Sequence, residues 1–242
     1  MSNRLLDRQV GLLEFLTSGA AIFDDLDGAS LDPALVGIDC GLLRLEARFS
    51  FQKRMAKVAA VFPRTLELLD GHSGAIIREF VSSYPPRDIG RLENARQFFD
   101  FLCGESRRLP VLPPHLPDVA ACELALAQVR ANDLTRDTKQ REHALQNAIR
   151  RAPGVALLRC SYDVRTILEV GAETDPVRRE VLLGVASPVG ADQPRVFELL
   201  KPVFDLLSVM DEWADAAAMV ATPKLNELVR NLSDCGLIEV HP

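Results

Sequence analysis

The chain has 242 residues and a formal net charge of −6, and 48% of its residues are hydrophobic but only 6% aromatic. This length allows one large domain or two of ordinary size. No run approaches the roughly 20 consecutive apolar residues of a membrane span, and the charged start of the chain, 1–8, does not resemble a signal peptide. We therefore expect a cytoplasmic protein that has no membrane partner.

Five cysteines are scattered along the sequence, and no two of them form a Cys-x-x-Cys pair. An odd number without paired spacing argues against a disulfide framework and against a zinc site. Cys122 and Cys235 lie in apolar helical patterns, which predict small buried thiols.

Helical periodicity dominates the first 131 residues. Pro63 fits a first helical turn, Gly71 fits the left-handed residue that ends a helix, and Asp118 is placed to cap the helix that follows it. A connector rich in proline precedes Asp118, and residues 18–34 have the composition of a loop. The pattern predicts helices over about 4–17, 39–61, 63–70, 73–83, 92–102 and 119–131.

The predicted helix 39–61 has two contrasting sides. Its apolar positions follow a helical spacing and are Leu42, Leu45, Phe49, Met55, Val58 and Ala59. The other side is basic and carries Arg44, Arg48, Lys53, Arg54 and Lys57, with Arg64 beyond the helix. Most such stripes are only solvated surfaces. The functional interpretation is a docking surface for an acidic protein partner, and its candidate residues are Arg44, Arg48, Arg54 and Arg64.

The periodicity changes after residue 154. Short apolar runs predict strands over 155–158, 164–167, 181–185 and 195–200, followed by helices over about 202–211, 213–220 and 223–234 and a closing strand over 237–240. We interpret the polar stretch 132–154 as a linker or bridging helix. The predicted fold is therefore mainly α with a small β component: a helical docking domain, 1–131, and a winged-helix-like α+β module, 155–242.

The sequence contains no candidate for catalytic chemistry. None of the four histidines, His72, His115, His143 and His241, lies in a metal-ligand motif such as His-Glu-x-x-His. No nucleophile elbow, Walker loop or dinucleotide-binding glycine motif follows a predicted strand. We expect no catalytic residue, no metal and no cofactor in this chain.

The charge of the second module argues against nucleic acid as its partner. Residues 155–242 contain 8 Lys and Arg against 14 Asp and Glu, so the whole negative excess of the chain lies there. In the helix 223–234, Lys224 and Arg230 are balanced by Glu227 and Asp234. Affinity for DNA comes chiefly from basic side chains that neutralise phosphates, so this module would repel a phosphate backbone.

A winged-helix module can instead bind an extended peptide as an added strand, with backbone hydrogen bonds for affinity and side-chain pockets for selectivity. The candidate groove lies between the strand 195–200 and the helix 223–234, and its residues are Val196, Phe197, Leu199, Leu225, Leu228 and Val229. The alternative is that these apolar residues form the core of the module. This alternative holds for some of them, because alternate residues of a strand face inward.

An ordered series of motifs in the helical domain resembles a known family. The series comprises Phe62-Pro63-Arg64 with Leu66, Leu68 and Leu69, then Phe80, Tyr84-Pro85-Pro86, Phe98, Phe101-Leu102, Leu116–Ala120 and Glu123–Ala125. It is similar to the N-terminal domain of proteins, some described as DNA-binding, that accompany iron-dependent TIM-barrel oxygenases. The segment 71–77 is most similar to the partner proteins of methanobactin and 3-thiaglutamate biosynthesis.

The C-terminal part, from Val181 through 204–207 to Leu228, Leu232 and 235–238, resembles precursor-peptide recognition elements, small winged-helix domains that hold the leader of a ribosomally made peptide. The two resemblances imply a non-catalytic subunit that forms a heterodimer with an iron oxygenase. It would present a cysteine of the precursor peptide to that enzyme, which would hold the iron. The thiaglutamate type is favoured over the methanobactin type. A DNA-binding regulator is the alternative, and an enzyme with an unrecognised site is a third possibility.

Overall fold

The computed structural model describes residues 2–23, 33–105, 112–135, 148–215 and 223–241. Its contacts divide the chain into two compact units, Met1–Pro113 and Pro114–Pro242. The division falls earlier than the predicted boundary at residue 131, because the helix that begins at Leu116 packs against strands of the second unit. Among the described residues, no helix is long and apolar enough to cross a membrane.

Helices form the regular structure of the first unit. They are α1 (Ser2–Thr17), α2 (Gly19–Phe23), α3 (Cys40–Ala59), α4 (Pro63–Leu69), α5 (Ser73–Ser83) and α6 (Arg91–Glu105), with short 3₁₀ turns at Pro33–Leu35 and Asp70–His72. All except α2 match predicted helices. The helix α2 and the turn Pro33–Leu35 lie in the stretch predicted to be a loop, and residues 24–32 of that stretch lie outside the described residues.

Aromatic side chains form the centre of this unit. Phe62, Phe80 and Phe98 are fully buried, and the ring of Phe98 lies 5.5 Å from that of Phe62 and 5.1 Å from that of Phe80. The tilted and edge-on geometries are those that aromatic pairs favour. These residues belong to the motif series found in the sequence, so much of that series is explained by packing.

The second unit contains two three-stranded antiparallel sheets. One has the order β5-β1-β6, and the other has the order β2-β3-β4. The strands are β1 (Ala148–Arg151), β2 (Ala156–Asp163), β3 (Val177–Ala186), β4 (Arg195–Glu198), β5 (Ala214–Asp215) and β6 (Ile238–His241), and the helices are α7 (Leu116–Thr135), α8 (Arg165–Glu169), α9 (Lys201–Val209) and α10 (Pro223–Asp234). The expectation of a mainly α fold with a small β component is confirmed.

Three local predictions in this unit are wrong. The predicted strand 164–167 is the start of α8, because Val164 and Ile167 are both buried at the three-residue spacing of a helix. The predicted bridge 132–154 contains the end of α7 and the central strand β1, whose Ile149 is buried. The predicted helix 213–220 begins with β5, which pairs with β1; its remainder, 216–220, lies outside the described residues.

The sheet β2-β3-β4 is covered on both faces. On one face, Val185 packs with Ala125 and Val129 of α7. On the other face, a buried cluster contains Leu207 of α9 and Leu232 of α10, together with Ala186, Leu199, Leu237 and Ile238. A central strand buried on both faces has a continuous apolar sequence, which explains why the run 181–185 was recognised as a strand.

Candidate functional site

The strand β4 lies at the edge of its sheet. It pairs with β3 on one side, and no other strand of the described residues pairs with its second side. An edge strand presents unpaired amides and carbonyls that a second chain can satisfy. The sequence predicted this strand as the site of peptide addition, and its edge position is compatible with that role.

The register of β3 and β4 decides which backbone groups point away from the sheet. Leu199 donates its amide to the carbonyl of Leu182 at 2.7 Å. In an antiparallel pair, residues that bond to the neighbouring strand alternate with residues whose amide and carbonyl point away from it. Leu199 and Phe197 therefore bond to β3, and the outward groups belong to Val196 and Glu198.

The opposite edge of the sheet is partly closed. At the irregularity between Cys160 and Tyr162 of β2, the amides of Ser161 and Tyr162 donate to one carboxylate oxygen of Asp118 at 2.9 and 3.0 Å. The helix α7 begins at Leu116, so Asp118 lies in its first turn and is not the N-cap of a helix that starts at residue 119, as the sequence predicted. Nothing in the sequence indicated the contact with β2. A chain adding to β2 would have to displace this carboxylate, whereas β4 carries no such carboxylate on its outward amides in the described structure.

The structure brings together part of the predicted groove. Phe197, Leu228 and Val229 pack, partly buried, against the cluster that contains Leu199, which is 8% exposed. Val196 lies on the opposite face of the sheet, against α7. Leu225 is 37% exposed. The four clustered residues therefore form core, as the alternative interpretation required, and Val196 cannot line the same groove through its side chain.

Leu200 is an exposed apolar residue beside this edge that does not belong to the predicted groove. It lies two residues after the end of β4, precedes α9 as its N-cap residue, and is 76% exposed. Its backbone is extended, with φ −66° and ψ 146°. The sequence placed Leu200 in the predicted strand 195–200, on the same face as Val196 and Glu198, because alternate residues of a strand share a face. Its exposure to solvent depends on the sheet and could not be predicted from the sequence.

Four charged side chains form a network beside the edge strand. Arg165 contacts Asp163 at 2.7 Å and Glu198 at 2.5 Å. Arg179 contacts the same two carboxylates at 2.6 and 2.7 Å. Because Asp163, Arg179 and Glu198 belong to β2, β3 and β4, the network links all three strands across the sheet.

The network perturbs the ionisation of its members. Hydrogen bonding from Arg165 holds the pKa of Asp163 well below its usual value, and hydrogen bonding from Arg179 lowers the pKa of Glu198. The pKa of Arg165 is raised, chiefly by its hydrogen bond to Asp163. Both carboxylates are therefore charged at neutral pH, and the short strand β4 is attached to the sheet by ion pairs as well as by backbone hydrogen bonds.

The candidate docking residues of the first unit do not form one surface stripe. Arg54 is only 8% exposed, and it donates to Asn94 at 3.0 Å and to Gln97 at 3.1 Å. Its guanidinium lies 4.3 Å from the centre of the Phe80 ring, and burial lowers its pKa to about 10. The assignment of Arg54 to an exposed docking surface is therefore wrong, because this side chain belongs to the core.

The other three candidates remain at least partly accessible. Arg48 is exposed, Arg44 is half-buried, and the side chain of Arg64 is 30% exposed and pairs with Glu67 at 2.8 Å. The helix α3 begins at Cys40 because the Asp39 carboxylate accepts the amides of residues 41 and 42.

His115 is the histidine with the most structured surroundings among the described residues. Its ring meets that of Tyr162 edge-on at 5.9 Å, and burial lowers its pKa against the opposing effects of Asp175 and Asp118. In the ranges that the structure describes, no group of three or more His, Cys, Asp or Glu side chains is arranged to hold a metal ion. The edge of β4 is thus the candidate site on which a function can be argued.

Comparison with protein-family models and with curated proteins gives no match for this chain.

Proposed function

We propose that the chain is a non-catalytic recognition subunit. Its second unit binds a ribosomally made precursor peptide by strand addition to β4, and the chain presents a cysteine of that peptide to a separate iron-dependent oxygenase in a heterodimer. The single observation that carries the peptide part is the outward-facing backbone of Val196 and Glu198 on an edge strand. The proposal that the partner is an iron-dependent oxygenase rests on the resemblance of the motif series in the helical domain to proteins that accompany such enzymes.

Three further features support this proposal. The sheet β2-β3-β4 precedes α9 and α10 along the chain, an order compatible with a winged-helix-like recognition element. The net charge of residues 155–242 is negative, which favours a leader that carries Lys or Arg. The exposed Leu200 offers an apolar contact directly beside the proposed strand.

The test places proline where the backbone donor points outward. Val196→Pro removes one amide that an added strand would use, and proline is tolerated on an edge strand whose amide faces solvent. Loss of a hydrogen bond and of the strand geometry is worth about 1–3 kcal/mol, so the affinity for the leader should fall by about 5- to 150-fold. The ligand in the titration is a synthetic peptide with the sequence of a candidate leader, taken from any small peptide gene that is found next to the gene of this chain.

Matched variants separate the possible causes of such a loss. Val196→Ala shortens the side chain but keeps the amide, and it should bind nearly as well as the wild type. Phe197→Pro removes an amide that bonds to β3, and it should lower the melting temperature. Leu200→Asp changes an exposed side chain and should weaken binding without unfolding. If Val196→Pro is folded by circular dichroism and binds the leader with wild-type affinity, strand addition at β4 is wrong.

The alternative, a DNA-binding regulator, makes the opposite prediction about salt. Non-specific DNA binding has dissociation constants of about 10⁻⁴–10⁻⁶ M and weakens steeply as salt rises, because counterions are released. We expect the full chain to show no such binding to duplex DNA at physiological ionic strength. A micromolar gel shift that is lost between low and moderate salt would favour the regulator.

A further inference from the structure

The helix α3 turns an apolar stripe toward solvent. Leu42 is 64% exposed, and Leu45 and Phe49 are each 47% exposed. Their spacing of three and four residues places them on one side of the helix. The unit instead packs through residues elsewhere on the helix, namely Leu43, Ala47, Arg54 and Val58.

The helix α1 packs with α3 and has the same property. Leu6, Val10 and Leu13 are 58%, 45% and 63% exposed, at a spacing of four and three residues. Scattered exposed leucines are ordinary, but successive exposed apolar turns on two neighbouring helices are typical of an interaction surface.

The charges beside the α3 stripe select the kind of partner. At 100° per residue, Arg44 and Arg48 lie on one side of the stripe. The other side carries three charged residues at a spacing of seven, namely Asp39, Glu46 and Lys53. The Nε atom of Arg44 is buried and has no hydrogen-bond partner in the described part of the chain. One side of the stripe is therefore basic, and the other side carries both signs.

A second copy of this chain that packs antiparallel fits the stripe poorly. When two identical helices pack antiparallel, equivalent sides face each other, as at the flanking positions of a coiled coil. Arg44 and Arg48 would then face Arg48 and Arg44 of the copy, and Glu46 would face Glu46. Like charges that are brought together across an interface oppose association. A helix that carries carboxylates opposite Arg44 and Arg48 would be attracted instead.

We propose that α3 docks an amphipathic helix of another protein, with the apolar side of that helix on Leu42, Leu45 and Phe49 and its carboxylates opposite Arg44 and Arg48. This is the helix-in-groove mode of recognition, in which apolar anchors recur every three or four residues. The inference rests on the partner-docking part of the proposed function and refines it: apolar contact supplies the affinity, and the arginines set the orientation.

The test uses the full chain and two synthetic helical peptides of one design. Both have leucine along one side; one carries glutamate beside it, and its twin carries lysine at those positions. Fluorescence anisotropy at low salt should show tighter binding of the glutamate peptide. Leu45→Gln combined with Phe49→Gln should weaken that binding by about tenfold or more, since two large apolar contacts are lost. Arg48→Glu should reduce the preference for the glutamate peptide.

Two controls fix the interpretation. Ile89→Gln replaces a side chain that is 85% exposed outside α3, and it should bind as the wild type does. Val196→Pro should also bind the helical peptides normally, and Leu45→Gln with Phe49→Gln should bind the leader normally. A failure of leader recognition is thereby distinguished from a failure of docking.

Several results would overturn the inference. They are the absence of binding to either peptide, binding that the stripe variants leave unchanged, and equal binding of the glutamate and lysine peptides. Sedimentation that shows the full chain dimerising at tens of micromolar, with the dimer lost in Leu45→Gln, would assign the stripe to a second copy. Because Leu45 and Phe49 are half exposed, these variants are expected to remain folded, and Leu42→Gln provides an independent repeat.

Discussion

Replacing Arg54 with methionine should destabilise the first unit, whereas the same replacement of its neighbour Lys53 should not. The two residues are adjacent in α3, but Lys53 is exposed and Arg54 is buried. Methionine keeps most of the side-chain length and removes the charge and the donors. Lys53→Met is therefore a matched control for any change in helix propensity or net charge.

The magnitude follows from the contacts of Arg54. Asn94 and Gln97 would each lose the donor to a side-chain oxygen, at about 1–3 kcal/mol for each buried group left unpaired. The contact with the Phe80 ring is worth about 1–2 kcal/mol. The buried charge of Arg54 carries a desolvation cost, which is also what lowers its pKa. Methionine does not carry this cost, and the gain offsets part of the lost stability. We expect a net decrease of about 2–4 kcal/mol in the free energy of unfolding, against about 0.5 kcal/mol or less for Lys53→Met.

The assay can assign the loss to one unit. Trp213 is the only tryptophan of the chain and lies in the second unit, so its fluorescence reports on that unit, while the helical circular dichroism reports on both. In urea, Arg54→Met should move the circular-dichroism transition of the first unit to lower denaturant and leave the Trp213 transition in place. Equal unfolding midpoints for Arg54→Met and Lys53→Met would refute the assignment of Arg54 to the core.

Two further predictions concern the second unit. Since the pKa values of Asp163 and Glu198 are both lowered, the charge network stabilises the fold above about pH 5, and this contribution is lost progressively as the pH falls below about 4. In thermal melts, Glu198→Gln should therefore lose less stability than the wild type as the pH is lowered from about 5 to well below about 4. Gly236→Ala should be strongly destabilising, because φ is +71° and a Cβ would lie 1.9 Å from the Ser187 carbonyl oxygen. The control Gly190→Ala, at φ +76° with no atom within 4 Å of the added Cβ, should lower the free energy of unfolding by only about 1 kcal/mol. Equal melting temperatures for the two variants would contradict the proposed clash.

Local signals in the sequence determined the helices of the first unit and several elements of the second. The helix α5 has the predicted bounds, 73–83, and the pair Pro85-Pro86 follows its end. The prediction that Gly71 is the left-handed residue that ends α4 is wrong: that residue is Asp70, with φ 38°, and Gly71 lies within the 3₁₀ turn Asp70–His72. The helix α10 begins at Pro223, as predicted, and is followed by Gly236 in the left-handed conformation. Such signals act within a few residues, so they are readable without the fold.

The elements that the sequence missed depend on distant contacts. Ala214 becomes a strand because it pairs with Ile149, far away in the chain. The side chain of Asp118 bonds to β2 although its position suggested a helix cap. Tertiary pairing of this kind overrides local propensity and leaves no periodic signal in the sequence.

The sequence by itself determined which residues could take part in a site, but the tertiary structure decided which of them are accessible. Helical spacing put an apolar and a basic side on α3, yet the packing of the unit exposes Leu45 and Phe49 and buries Arg54. Strand spacing identified β4, and the sheet order made it an edge strand with outward amides at Val196 and Glu198. Burial and edge position are properties of neighbours that meet only in the folded chain, and periodicity along one segment cannot specify them.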